Sequence, residues 1–342
     1  MYHLLILFLV LKLNICNEET IKININDQNG NNNLINKALY LNKKKNLILG
    51  VIRRYSFNTI LPFFKSLLHA NFHNCDIVMF VKSVSPTLID YLKNIGVIVY
   101  EITEKYKNFS VVKLRWKLFM DFLMKRKNEY NLILSIDVRD SFFQKDIFSY
   151  YENYNKSFLG IAIEDGTLNE EFNKRWIIDF VGEEKYKIIQ NERIICAGTI
   201  WGTLDKFLEL SKILWEKLII HLKTYDQGIV NYLFYAEKLF NDCIIKSDNY
   251  GPIMTIRLTD SKNISLDNEN NILNFKGEIA SIVHQYDNKF DIKMKIINKY
   301  CPELIVFNEF SNKLNNLIFV SLLELLVIIL LIKAYIKKKD NN

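Results

Sequence analysis

The stretch Leu132-Ile133-Leu134-Ser135-Ile136-Asp137-Val138-Arg139-Asp140 decides how this chain is read. LILSI is a short apolar run of strand length, suited to burial on both faces, and it stops abruptly at two carboxylates flanking a guanidinium. Toward the amino terminus, VVKLRWKLFMDFLMKR (Val111 to Arg126) has helix-like spacing and VIVYEI (Val97 to Ile102) reads as a strand. Pro86 to Asn94 reads as a helix and DIVMFVK (Asp76 to Lys82) as another strand. NLILGVI (Asn46 to Ile52) is the first strand of the series, followed by a helix-like pattern through Asn71. Strands alternating with helices need crossover connections, so this half is predicted to be an open, mostly parallel α/β sheet with helices on both faces. Ligands of such sheets bind outside the carboxyl ends of the strands, which directs attention to Asp137-Val138-Arg139-Asp140.

Composition agrees. The 342 residues are 49% hydrophobic and 13% aromatic, enough to bury a large core and incompatible with a disordered or collagen-like chain. Only 11 glycines and 4 prolines argue against a turn-dense sandwich or propeller. The net charge of +7 is modest and spread through a Lys- and Asn-rich sequence, so no nucleic-acid partner is predicted.

Part of the apolar content sits at the two ends. Leu4 to Leu11 has the length of a secretory signal core, which makes residues 1–17 a predicted signal peptide, although no basic residue precedes it; a buried first element is the alternative. Residues 18–45 are Asn-rich and read as a linker, leaving 46–303 as the folded domain. Leu317 to Ile332 is apolar except for Ser321 and Glu324, and residues 316–336 are long enough for a membrane helix of about 20 residues. Lys337, Lys338 and Lys339 open a basic tail at 337–342 predicted to be cytoplasmic, which would put the domain in the lumen of the endoplasmic reticulum or Golgi as a single-pass membrane protein. A docked amphipathic helix is the competing reading of that segment. Sequons at Asn108, Asn155 and Asn263 agree with a lumenal domain but carry little weight in so Asn-rich a chain. Cys75, Cys196, Cys243 and Cys301 would permit two disulfides, with Cys196 read as a buried thiol within an apolar strand.

Two later clusters give the strand end its chemical meaning: Cys196-Ala197-Gly198-Thr199-Ile200-Trp201-Gly202 and Tyr225-Asp226-Gln227-Gly228-Ile229-Val230-Asn231. In this order and spacing, the three motifs resemble the nucleotide-diphospho-sugar glycosyltransferases of the GT-A fold, most closely glycosyltransferase family 8 and the glycogenin-like group. The resemblance spans roughly Asn46 to Cys301. It implies an Asp-x-Asp metal motif at Asp137-Arg139-Asp140, a sugar-pocket segment at Cys196-Ala197-Gly198, and an Asp-Gln-x-x-x-Asn segment at Asp226 to Asn231. It further implies that His284, in SIVHQYD, is a metal ligand. The implied cofactors are Mn²⁺ or Mg²⁺ and a UDP- or GDP-sugar donor, and the implied acceptor is a glycan, glycoprotein or glycolipid.

The sequence departs from the family where chemistry matters most. Arg139 stands at the expected second carboxylate, Cys196 replaces an Asn, and the family's glycine and Lys-Pro-Trp after the late His are missing. Asp137 and Asp140 lie on opposite faces of an extended strand, so both reach one cation only if the chain turns at Arg139. Arg139 then either pairs with a neighbouring carboxylate or contacts phosphate, which Arg grips bidentately.

The site expected from these residues comprises Asp226 and Gln227 beside the reaction centre; Asp137, Arg139, Asp140, Arg115 and Gly198 toward the donor; and Asp137, Asp140 and His284 for metal. For Asp226 a helix N-cap is the simpler reading, and for Lys113 and Arg115 a solvated helix face. Gly198, Gly202 and Gly228 stand out beside the expected sugar site, and Gly198 permits close backbone approach or marks a bulge. Trp176, Trp201 and Tyr286 are candidate sugar-stacking rings, with Trp201 the best supported by its neighbouring glycines. Asp165 is an acceptor-side candidate, and His69, His73 and His221 read as ordinary helix residues. A glycoside hydrolase is disfavoured by the lack of a barrel pattern, whereas a catalytically silent binding protein on the same fold is a live alternative because of the altered first motif.

Overall fold

A computed structural model describes residues 44–103 and 109–305. The expected signal peptide, most of the linker, the sequon at Asn108, the membrane helix and the basic tail lie outside the described residues. Among the described residues, no helix is long and apolar enough to cross a membrane.

The first four strands are β1 (Lys45–Arg53), β2 (Cys75–Lys82), β3 (Ile98–Glu101) and β4 (Tyr130–Ile136). They are joined by α1 (Phe57–His69), α2 (Pro86–Asn94) and α3 (Val111–Met124). The helix starts follow local chemistry: Ser56 Oγ accepts from Thr59 N at 3.3 Å, and Ser85 Oγ accepts from Leu88 N at 3.2 Å with Pro86 in the first turn. Next come β5 (Ser141–Phe143), α4 (Phe148–Tyr151), β6 (Leu159–Thr167), α5 (Glu171–Val181), α6 (Glu183–Ile189), β7 (Arg193–Thr203), α7 (Leu204–Ile220) and α8 (Asp226–Tyr235). The chain continues through β8 (Ile244–Ser247), β9 (Ile253–Thr255), the short pair β10 (Ser265–Leu266) and β11 (Ile272–Leu273), then β12 (Ile282–His284) and α9 (Phe290–Tyr300).

The main sheet has the order β3-β2-β1-β4-β7-β6-β8. All its strands share one direction except β7, which is antiparallel to both neighbours. The mostly parallel α/β architecture expected from the sequence is therefore present. Its alternation is visible in β1, where Leu47 and Leu49 pack with Trp116 and Phe119 of α3 on one face while Ile48 packs with Phe63 and Phe64 of α1 on the other. In β4, Leu132, Leu134 and Ile136 face the α1 side, which turns Ser135 and the following Asp137 toward α3.

A second sheet, β5-β12-β9, lies where β4 ends. Strand β12 is antiparallel to β5, with His284 opposite Ser141, and parallel to β9, with His284 opposite Thr255. This sheet packs through Phe142 and Val283, with Tyr286 just after β12, against Ile292, Ile296 and Tyr300. Its function in the architecture is positional: it seats the residue after Asp140 directly across from His284.

The four described cysteines are free thiols, so no disulfide joins them. Burial pushes the Cys196 thiol up to about 11.

Candidate active site

Asp137 follows the last residue of β4, and its N–H donates to Gly198 O of β7 at 2.8 Å. The chain then bends through Val138, Arg139 and Asp140 before β5 begins, so the turn needed to bring both carboxylates together is made. One ligand atom from each of Asp137, Asp140 and His284 lies within 4.8 Å of the others. His284 Nε2 is 3.5 Å from Asp140 Oδ1 and 3.9 Å from Asp137 Oδ2, and among the described residues it makes no hydrogen bond although His284 is only 1% exposed. An orphaned imidazole nitrogen facing two carboxylates is costly unless something else fills the gap. Two oxygens and a neutral imidazole suit Mn²⁺ well and Mg²⁺ acceptably, so the residues fit the implied divalent cation.

The other ring nitrogen sits against a thiol, with His284 Nδ1 3.4 Å from Cys196 Sγ. Burial opposes charge on the ring, but contact with Cys196 and above all the Asp140 carboxylate outweigh it and hold the His284 pKa well above its ordinary value, so a cation entering between the carboxylates would take the place of a ring proton. For Asp140, burial is likewise outweighed by His284 and Arg139, which hold its pKa below the usual carboxylate range.

Gly198 has a concrete steric role. A Cβ there would come within 2.4 Å of His284 Cε1 and 2.7 Å of Asp137 Oδ2. The missing side chain makes room for the carboxylate and imidazole themselves. The other two glycines serve packing: a Cβ at Gly202 would meet Phe158 O at 2.5 Å, and one at Gly228 would meet the Trp176 backbone at 2.8 Å.

Arg115 is the internal brace of the site. It is buried, donating through Nη1 to Asp137 Oδ1 at 2.7 Å, through Nη2 to Ala197 O at 2.9 Å, and through Nε to Asp226 Oδ2 at 2.9 Å. Asp226, 2% exposed, also accepts from Trp116 Nε1 at 2.8 Å and from Gln227 N at 2.9 Å. Gln227 Oε1 accepts from Ala197 N at 3.1 Å, and its Nε2 donates to Asn173 Oδ1 at 2.9 Å. Asn231 accepts from Ile195 N at 2.8 Å and donates to Ile195 O at 2.9 Å. The Asp-Gln-Gly-Ile-Val-Asn segment thus clamps α8 onto β7, where the β6–β7 register is interrupted and backbone groups need side-chain partners. The Asp226 carboxylate is buried in that clamp, and both polar atoms of the half-buried Gln227 side chain are engaged in it.

Arg139 differs from Arg115 in being open to solvent. Its side chain is 49% exposed, with Nη2 3.1 Å from Asp140 Oδ2 and Nε 3.5 Å from Asp287 Oδ2. Beside it lies a cleft of about 380 Å³, whose lining includes Arg53, Tyr55, Ser110, Arg115, Asp137 and Tyr225. Burial and the Asp137 and Asp140 carboxylates raise the Tyr55 hydroxyl pKa against the pull of Arg139 and Arg115. Arg53 Nε and Ser110 Oγ are buried and without a hydrogen-bond partner among the described residues.

Several sequence expectations are corrected. Trp201 is a core residue filling the space over Gly160 and lying 5.9 Å from Tyr151; Tyr286 packs edge-on against Phe142. Trp176 is half-buried and lies 5.1 Å from Tyr225 at the cleft. Asp165 is occupied by Arg193, Asn249 and Thr259. Lys113 is buried and donates to Leu222 O, contacting neither the motif nor open solvent. His73 lies in the turn after α1 and His221 just past the end of α7, so of the three only His69 is a helix residue; His69 packs on Tyr300 and His221 on Phe180.

Sequence reasoning missed Arg53 and Tyr55, which follow the apolar run of β1 and were findable by the strand-end rule that selected Asp137. It also missed Glu164 of β6, a carboxyl 1% exposed with Gln285 Nε2 3.4 Å away; burial raises its pKa. Nothing in the local sequence marks that side chain as facing the site.

No protein-family model matches the chain, and no curated protein is similar to it in sequence. Among solved structures it is similar to the galactosyltransferase LgtC in complex with donor and acceptor sugar analogues, at 13% identity over 70% of this chain and 86% of that one, TM-score 0.40. It is similar to the glycosyltransferase GlyE of Streptococcus pneumoniae TIGR4, at 16% identity over 79% and 64%, TM-score 0.46. It is also similar to the bifunctional glycosyltransferase WbbM, at 14% identity over 78% and 51%, TM-score 0.49.

Proposed function

We propose that the chain is a glycosyltransferase that moves a sugar from a nucleoside-diphosphate donor to a glycan, protein or lipid acceptor. The observation that carries this reading is the convergence of Asp137, Asp140 and the orphaned His284 nitrogen at a strand's carboxyl end, beside a cleft lined with arginines. Such a site recognises a polyanion and stabilises the negative charge that develops on a departing diphosphate. Asp137, Asp140 and His284 would hold the divalent cation, which when bound supplies Lewis-acid stabilisation of that leaving group. Arg115, fixed by Asp226, orients Asp137 and adds positive charge to the cleft. Arg53 and the open end of the cleft are suited to the donor's phosphate and nucleoside portions. Gln227 and Asn231 act through β7, fixing the backbone around Gly198 and hence the room available to the ligand set.

The apolar blocks at the chain ends support a lumenal domain on a single membrane helix as part of the same proposal. Attachment of the 316–336 segment is tested by carbonate extraction of membranes, from which an anchored protein is not released.

A second reading, a donor-binding module without turnover, draws on the protein-engaged Asp226 and Gln227 and on Arg139 at the first motif. A screen of UDP- and GDP-sugars for Mn²⁺-dependent hydrolysis separates the two. Release of nucleoside diphosphate that stops in EDTA supports the transferase; thermal stabilisation by a donor with no release supports the binding module.

A further inference from the structure

We propose that Arg139 is an electrostatic latch, seated on Asp140 in the free protein and drawn off by a diphosphate, so that the site takes cation and diphosphate together rather than either alone. This deepens the glycosyltransferase reading and rests on it. The two carboxylates of the ligand set are each paired with an arginine: Asp137 with Arg115 at 2.7 Å and Asp140 with Arg139 at 3.1 Å. With Arg139 seated on Asp140, the ligand set carries one more positive charge than with Arg139 withdrawn, and a divalent cation meets correspondingly weaker attraction.

The two arginines are not equivalent. Arg115 is buried and is held by Asp226 and Ala197 O as well as by Asp137, so it stays in place. Arg139 is half exposed, lines the cleft, and among the described residues is otherwise tied only to the partly exposed Asp287. The oxygens of Asp140 are divided accordingly: Oδ1 faces His284, while Oδ2 faces Arg139.

A diphosphate entering the cleft offers Arg139 a stronger, bidentate partner than a single carboxylate oxygen. Transfer of the guanidinium to phosphate frees Asp140 Oδ2 and removes a positive charge from the ligand set, which raises cation affinity. By linkage, the cation raises diphosphate affinity by the same factor. An ordinary second carboxylate at this position would leave the site negative and open to cation alone; Arg139 makes it conditional.

The test is a Mn²⁺ titration of the full chain, read by the electron paramagnetic resonance signal of free Mn²⁺. It is run without and with inorganic pyrophosphate, UDP or GDP, and corrected for chelation by the probe. The wild type should bind Mn²⁺ weakly alone and at least about tenfold tighter with at least one of the three probes. Arg139→Gln should bind Mn²⁺ alone about tenfold tighter than wild type, with most of the coupling lost. Arg139→Lys, which keeps the charge, should retain weak binding of Mn²⁺ alone. Arg139 is a surface side chain, and unchanged melting temperatures verify that both variants are folded. Equal Mn²⁺ affinities and equal coupling in wild type and Arg139→Gln overturn the latch while leaving the transferase reading intact. Absence of Mn²⁺ binding under every condition overturns the latch and the metal site together. A coupled latch without sugar release from any donor keeps the latch and removes the transferase reading.

Discussion

Removing Arg115 should destabilise the protein far more than an average substitution, because it leaves a carboxylate stranded. In Arg115→Met, Asp226 stays 2% exposed and keeps only the Trp116 and Gln227 N–H donors, while Ala197 O loses the Arg115 guanidinium. Breaking one side of a buried ion pair costs about 3–5 kcal/mol, and the orphaned carbonyl adds about 1 kcal/mol. The Asp137 contact contributes little, since that side chain is 45% exposed and screened by solvent. The sum, about 4–6 kcal/mol, corresponds in a domain of this size to a fall in melting temperature of about 8–12 °C. The assay is differential scanning fluorimetry in EDTA, which keeps metal from masking the effect. Arg115→Met/Asp226→Leu should fall short of the sum of its single variants by at least about 2 kcal/mol, because no charge is left uncompensated. A melting temperature within about 2 °C of wild type for Arg115→Met, or an additive cycle, would refute the brace.

Two further outcomes follow from contacts in the site. Gly198→Ala should leave the fold cooperative but lower Mn²⁺ affinity at least about tenfold, since its Cβ would stand 2.4 Å from the His284 ring; unchanged Mn²⁺ titration would contradict that steric role. Burial raises the Glu164 carboxyl from 4.5, so the folded chain keeps a proton that the unfolded chain releases. Its contribution to stability is therefore present below about pH 4.5 and is lost as pH rises through the folded value. In EDTA, Glu164→Gln should be more stable than wild type at neutral pH and show a flatter stability profile above pH 4.5; parallel profiles would sink the assignment.

Much of the sheet was legible because strands buried on both faces are written as uninterrupted apolar runs. LILSI, NLILGVI and DIVMFVK were found for that reason, and the helix read over Pro86 to Asn94 is present with those bounds. The reversed direction of β7 was not legible, since an apolar run carries no sign of polarity. The three-residue strands β5, β9 and β12 are too short for periodicity to register.

At the site, residues singled out by type were found, but their partners were not. Asp226 is explained by Arg115, 111 positions earlier, and no local rule connects them. Trp201 looked like a sugar platform because glycines flank it. The glycine that explains it is Gly160 of the neighbouring strand, over which the indole packs. The Asp-Val-Arg-Asp motif was ambiguous as a line of text because alternation sends its carboxylates to opposite faces; the bend after Asp137, together with the β5–β12 register, resolves their placement.

Asp137, Asp140 and His284 are proposed as the reacting end of a nucleotide-sugar site. This assignment is tested most directly by nucleoside-diphosphate release from a panel of UDP- and GDP-sugars with Mn²⁺, comparing wild type with Asp140→Ala matched for melting behaviour. The wild type should release nucleoside diphosphate in a reaction that stops in EDTA, and Asp140→Ala should be slower by at least about a hundredfold. Wild-type turnover by Asp140→Ala, or undiminished release in EDTA, would contradict the assignment.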